Sequence, residues 1–176
     1  MQALNKRVFQ DRIEIWDVRT RRRASVIFLP GGVSYSRFSP DGRLLAIGDL
    51  QRRVHLYSTK TWAPATGFVL NADAVWVAFS PDSAVLAAGG LGTVRLFDVA
   101  NGQALGALPS PSGSTAVPMF LPGDAGLVAG QEDGTATLWD LRPAALARRA
   151  CEIAGRRLTH AEWDAALPGR DYAPAC

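Results

Sequence analysis

The sequence predicts an all-β chain of successive four-stranded sheets with a short helical tail. Three columns of residues at one spacing predict it. Aromatic residues stand fifth in similar hexapeptides at Trp16, Tyr57, Phe97 and Trp139, which lie 41, 40 and 42 residues apart. The stretches Phe38-Ser39-Pro40-Asp41-Gly42, Phe79-Ser80-Pro81-Asp82-Ser83 and Phe120-Leu121-Pro122-Gly123-Asp124 recur every 41 residues, and so do Gly48, Gly89 and Gly130. A shared period of this length marks a supersecondary unit that buries its apolar faces against its neighbours.

Each period holds four strand-like pieces. In the second unit these are Val33 to Phe38, Arg43 to Ile47, Arg53 to Tyr57 and Thr66 to Leu70. Ser-Pro-Asp-Gly separates the first two: Pro fixes φ, Asp bonds nearby backbone and Gly tolerates positive φ. The third piece alternates. Ile13, Val54, Val94 and Ala136 point to one face, with Ile15, Leu56, Leu96 and Leu138 two residues on; Glu14, His55, Arg95 and Thr137 point to the other. The second piece (Leu45-Ala46-Ile47, Leu86-Ala87-Ala88, Leu127-Val128-Ala129) is apolar throughout, which suits a strand packed on both faces. The units run over about residues 1–29, 33–70, 75–108 and 115–141. The first unit, with strands from Asn5 to Leu29, holds the end of a sheet, and the last supplies three strands.

The period, the Ser-Pro-Asp-Gly turn, the glycine after the second strand and the terminal Trp-Asp together resemble WD repeats of the β-propeller superfamily, over residues 9 to about 141. The resemblance implies that each sheet is a blade and that blades ring a central channel. The chain then forms a partial propeller of about three and a half blades, whereas closure takes roughly four to eight. The family's Gly-His pair is absent: Gly31-Gly32, Leu70-Asn71 and Ser112-Gly113 stand in its place. Asp133 matches the family's turn aspartate, but Gln51 and Leu91 replace it in the other units, so the family's Asp-His relay is mostly lost and apolar packing is expected to carry the blades. An open arc exposes apolar faces and strand edges, which favours self-association to complete a propeller.

After Asp140 the pattern becomes helical. Pro143 to Gly155 is rich in Ala, Leu and Arg, with Pro early and Gly at the stop. Thr159-His160-Ala161-Glu162 reads as a capping box before a second helix over Trp163 to Leu167. Residues 142–176 therefore form a separate tail. It resembles the ending of large bacterial WD-repeat proteins in Cys151, Ile153-Ala154-Gly155-Arg156, Leu158-Thr159, Glu162-Trp163, Pro168-Gly169, Tyr172, Pro174 and Cys176. Such proteins carry a STAND-type NTPase or protein-kinase module ahead of the propeller. The resemblance thus implies the C-terminal part of a signalling protein. The sequence holds no G-x-x-x-x-G-K-[ST], so no ATPase activity carries over. The two cysteines are read either as reduced thiols or as a disulfide that pins the tail.

Composition narrows the chemistry. Hydrophobic residues are 48% and charged residues 20% of the 176, the balance of a folded globular chain. No apolar run approaches the roughly 18 residues of a spanning helix, and Met1 to Arg7 contains no signal-like apolar core, so the chain reads as cytoplasmic. The net charge of +3 is too small to imply a nucleic-acid partner. His55 and His160 have no ligand spacing around them, which argues against a metal site. Asp41, Asp82 and Asp124 recur as turn residues rather than as a carboxylate pair. Gly89-Gly90-Leu91-Gly92 precedes a strand, so it reads as a hairpin and not as a phosphate loop. No catalytic residue, cofactor or metal is expected.

The leading expectation is a non-catalytic protein-interaction scaffold. The alternative is a sensor segment of a STAND-type NTPase or kinase whose catalytic module lies elsewhere. The candidate partner-binding residues are few. Tyr35 and Trp76 each precede the Phe of their strand by three residues, where the family resemblance places the mouth of the channel. Outside that set, Arg37 stands where Ala78 stands in the next unit; a buried inner-strand arginine needs an acidic partner or solvent, and Arg37 is expected to line the channel. Arg19, Arg21, Arg22 and Arg23 form one basic cluster and Arg52 with Arg53 another. Successive loops of a meander alternate between sheet ends, so the two clusters are expected at opposite ends.

Overall fold

The strands pair strictly with their neighbours in sequence, because short turns leave each one only the next to pair with. The computed structural model describes residues 12–71, 74–110, 113–155 and 159–162. Strands β1 (Arg12–Asp17) and β2 (Arg22–Phe28) form the first sheet. The second holds β3 (Val33–Phe38), β4 (Leu44–Asp49), β5 (Arg53–Ser58) and β6 (Pro64–Asn71). The third holds β7 (Ala74–Phe79), β8 (Val85–Gly90), β9 (Thr93–Asp98) and β10 (Ala104–Pro109). The fourth holds β11 (Ala116–Phe120), β12 (Gly126–Gln131) and β13 (Ala136–Asp140). All pairings are antiparallel. Helix α1 (Pro143–Ala154) follows. The architecture is the expected all-β partial propeller with a helical tail. The strands expected before Arg12 lie outside the described residues.

The apolar cores lie between sheets, as the alternation predicts. Ile13 and Ile15 pack with Ile27, Leu29, Leu45, Ile47 and Tyr57 between the first two sheets. Ala46, Val54 and Leu56 meet Val77, Phe79, Leu86, Ala88 and Phe97 between the second and third. Ala87, Val94 and Leu96 meet Ala116, Leu127, Ala129 and Trp139 between the third and fourth. Strands β4 and β8 therefore each send alternate residues into two different cores. Every internal junction has the same construction: the Val54/Leu56-type face of one sheet receives the Tyr57/Phe97-type aromatic of the next.

Two details set the spacing of the sheets. A Cβ at Gly89 would stand 2.1 Å from the Ala116 carbonyl oxygen and 2.5 Å from Pro118 Cδ, so β8 and β11 approach only because this residue has no side chain. At the turns, the buried Ser39 donates its hydroxyl to Asp41 Oδ1 at 2.6 Å and accepts from the Leu44 amide at 2.9 Å. Ser80 repeats both contacts with Asp82 and Val85. The Asp41 amide donates to Ser83 Oγ at 3.2 Å, joining one turn to the next.

Helix α1 begins with Pro143 in its first turn and ends at Gly155, whose φ of 64° lets its amide reach the Cys151 carbonyl. The Thr159–Glu162 capping box forms, with the Thr159 amide donating to Glu162 Oε2 at 2.9 Å and the Glu162 amide to Thr159 Oγ1 at 3.3 Å. The helix expected over residues 163–167 lies outside the described residues. Cys151 is disulfide-bonded; Cys176 lies outside the described residues. Among the described residues no helix is long and apolar enough to cross a membrane.

Candidate interaction site at the inner rim

The first strands of consecutive sheets, β3, β7 and β11, stand side by side on the inner edge of the arc. Strand alternation turns Tyr35 and Arg37 toward the third sheet and Trp76 toward the fourth. Tyr35 and Trp76 meet there, with ring centroids 4.8 Å apart and planes tilted by 56°. The Arg37 guanidinium carbon lies 5.8 Å from the Tyr35 ring centroid, in cation–π range. Both rings are partly buried and Arg37 is exposed. Arg37 therefore keeps its charge in solvent instead of lying buried against an acidic partner.

These side chains open onto a cavity of about 290 Å³ lined also by Val117, Met119 and Val128. An adjoining hollow of about 210 Å³ lies between Arg37, Phe38, Phe79, Met119 and Phe120. Met119 and Arg37 border both. The arrangement offers an aromatic wall, a flexible thioether and one cation. It suits an apolar anchor beside a negative or carbonyl-rich segment, and it holds no nucleophile–base pair. Among the described residues no group of three or more His, Cys, Asp and Glu is placed to hold a metal.

The arginine clusters lie elsewhere. Arg19 and Arg21 are in the β1–β2 turn, and Arg22 and Arg23 open β2. Asp17 Oδ1 accepts from the Arg19 and Thr20 amides at 2.8 and 2.9 Å. These bonds, the Thr20 amide foremost, lower the Asp17 pKa. Glu14 sits 3.1 Å from Arg12 and 3.6 Å from Arg23. Arg52 is exposed in the β4–β5 turn at φ 63°, whereas Arg53 places Nε 2.8 Å from Asp49 Oδ2. By the order of the meander the β1–β2 and β4–β5 turns lie at opposite ends of their sheets. Tyr35 and Trp76 are thus brought together, and the arginines do not join them.

Asp49 was not among the residues singled out from sequence. It is fully buried at the end of β4. Its Oδ1 accepts from the Gln51 and Arg53 amides, and its Oδ2 from Arg53 Nε and lies 2.8 Å from His55 Nε2. Burial pushes its pKa up, but the bonds from His55 and Arg53 outweigh that and hold it below the ordinary carboxylate value. In the fourth sheet the neutral Gln131, Thr135 and Thr137 take the equivalent places, with the Asp133 carboxylate accepting from Thr135. The signal in the sequence is an acid inside an apolar run, Leu44 to Asp49, with Arg and His four and six residues on.

The family model for the WD domain, G-beta repeat, matches residues 68–98. Comparison with curated proteins gives no match. The matched stretch starts within β6 and ends with β9, joining the outer strand of one sheet to the first three of the next. The chain therefore carries a WD repeat, a module whose general role is protein–protein interaction.

Proposed function

We propose that the chain is a non-catalytic scaffold that docks a protein partner at the inner rim of its WD-repeat sheets. The observation that carries this reading is the Tyr35–Trp76 pair with Arg37 beside it, opening on an apolar cavity. Partly buried aromatic and arginine side chains are the types that dominate binding energy at protein interfaces. The strands hold them rigidly, so little ordering entropy is lost on docking. Arg37 supplies the preference for a partner segment with acidic or carbonyl groups. Arg19, Arg21, Arg22, Arg23 and Arg52 offer secondary basic surfaces, with Arg53 committed to Asp49. Nucleic acid, membrane and cofactor have no part in this reading.

A displayed library of random peptides, selected on the immobilised chain, tests it. Enriched peptides should bind the unmodified chain and lose about tenfold or more in affinity to Tyr35→Ala and Trp76→Ala. Enriched peptides that bind both variants unchanged would place the docking surface elsewhere.

A second reading rests on the tail. α1, its glycine stop and the Thr159–Glu162 box follow the last sheet where the resemblance to bacterial signalling proteins expects a helical tail. On that reading partner binding reports to an NTPase or kinase module. An in-frame G-x-x-x-x-G-K-[ST] or kinase sequence ahead of Met1 at the genomic locus would support it; a stop codon there would oppose it.

A further inference from the structure

The repeat gives each end of the arc a reference inside the same molecule. Ile15, Leu56, Leu96 and Leu138 are equivalent positions on the third strand, facing the following sheet. Leu56 is 1% exposed there, but Leu138 is 64% exposed, because no described sheet follows. Ala136 is also exposed where Val54 and Val94 are fully buried. Val117, Met119 and Val128 complete this face across the fourth sheet, in register as Met119–Val128–Leu138. α1 stands beside β13 and leaves Leu138 open.

The opposite end is the complement. Trp16, Tyr57, Phe97 and Trp139 are equivalent, and the last three point back into the core shared with the preceding sheet. Trp16 points the same way, with Phe28 and Val26 on its face, and is 55% exposed. The pairing with the outer strand shifts register beside Trp16, as it does beside Tyr57 and Phe97, so an irregularity recurs at this position in all three sheets. One end therefore presents the receiving half of the junction that the chain builds three times internally, and the two described strands at the other end present the aromatic of the inserting half.

We propose that these ends dock on each other between two copies of the chain, head to tail, with Trp16 of one copy seated on Ala136, Leu138 and Met119 of the other. The three internal junctions identify the occupant. The Leu56-type face is covered in each case by a sheet bearing an aromatic at the Tyr57 position, and this chain carries an uncovered sheet of that kind. The contact is heterologous: two copies that make both junctions close a ring, and copies that make one form a growing chain. Val117, Met119 and Val128 belong both to this face and to the cavity beside Tyr35 and Trp76, but Trp16 and Leu138 do not line that cavity, so variants at these two residues test the docking apart from partner binding.

The test is the mass of the full chain by size-exclusion chromatography with light scattering over a wide concentration range. The expected result is twice 18.8 kDa, or a series of multiples. Trp16→Arg and Leu138→Arg should each give a monomer. Mixing the two should restore a 1:1 heterodimer, because one junction is then built from two unaltered faces. Both side chains are exposed, so the variants remove no internal core, and circular dichroism checks that each is folded. Amide exchange of the unmodified chain is a second readout: it should slow with concentration in both β1 and β13. A monomer at every concentration would overturn the proposal and assign the faces to other polypeptide. So would dimers abolished by only one of the variants, monomers from the mixture of folded variants, or slowed exchange in one strand alone.

Discussion

Trp16 and Tyr57 hold the same place in consecutive sheets, yet Tyr57 is 7% exposed and Trp16 55%. The difference is the neighbour: Tyr57 lies on Ile13, Ile15 and Ile27, and Trp16 has no described sheet before it. Substitution to alanine should therefore separate them. Tyr57→Ala removes a ring from a packed core and should cost about 3–5 kcal/mol, as for large aromatic truncations. Trp16→Ala in dilute solution should cost about 0.5 kcal/mol or less. Urea unfolding of the two variants measures both.

Gly89 and Gly130 offer a second matched pair. A methyl group at 89 collides with backbone of β11, which cannot swing aside, whereas nothing lies within 4 Å of a Cβ at 130. Gly89→Ala should destabilise by about 1–3 kcal/mol. Gly130→Ala should be neutral or stabilise by up to about 1 kcal/mol, since alanine restricts the unfolded chain. Thermal melts of the two variants should move in opposite directions or differ by several degrees.

Asp49 predicts an acid response. Folding lowers its pKa from the ordinary 3.8, so its stabilisation is complete above that value and is lost as pH falls through the lower folded-state value. Asp41 and Asp82 are lowered too, chiefly by the hydroxyls of Ser39 and Ser80, and add to the same acid limb. Asp49→Asn should lower stability at neutral pH by about 1–3 kcal/mol, the cost of leaving buried partners poorly matched. It should also flatten the decline between neutral and acid pH relative to the unmodified chain. Urea midpoints measured across that range test both parts.

Ser39 is buried and bonded on two sides, to Asp41 and to the Leu44 amide. Ser39→Ala leaves that amide without its hydroxyl partner and should cost about 1–3 kcal/mol. Ser36 lies exposed on β3, and Ser36→Ala should change stability by less than about 0.5 kcal/mol. Denaturation curves of the pair give the comparison.

The sheets were legible because their determinants are local: Phe-x-Pro turns, a glycine per unit and strict alternation along Arg53 to Tyr57 each act within a few residues. The outward shift of β4 to Asp49 was less so. Asp49 stands two positions before Gln51, where the family pattern places its turn aspartate, and only three-dimensional pairing of β4 with β5 puts His55 and Arg53 against it. The meeting of Tyr35 with Trp76 was equally out of reach, since each was legible as an inner-strand aromatic but their contact depends on how closely β3 and β7 approach. Arg53 shows the converse. In sequence it pairs with Arg52 as a basic patch, and in space Asp49 takes it.

Every strand in the four sheets pairs only with its predecessor or successor in the chain. Contacts of such short sequence separation need little loop closure before they are rewarded, and they favour fast formation. As the polypeptide leaves the ribosome, each hairpin has its mate within a few residues of synthesis. Among the described strands none waits exposed for a late one. A sheet can then accrete onto the one before it, so the order of assembly follows the order of translation.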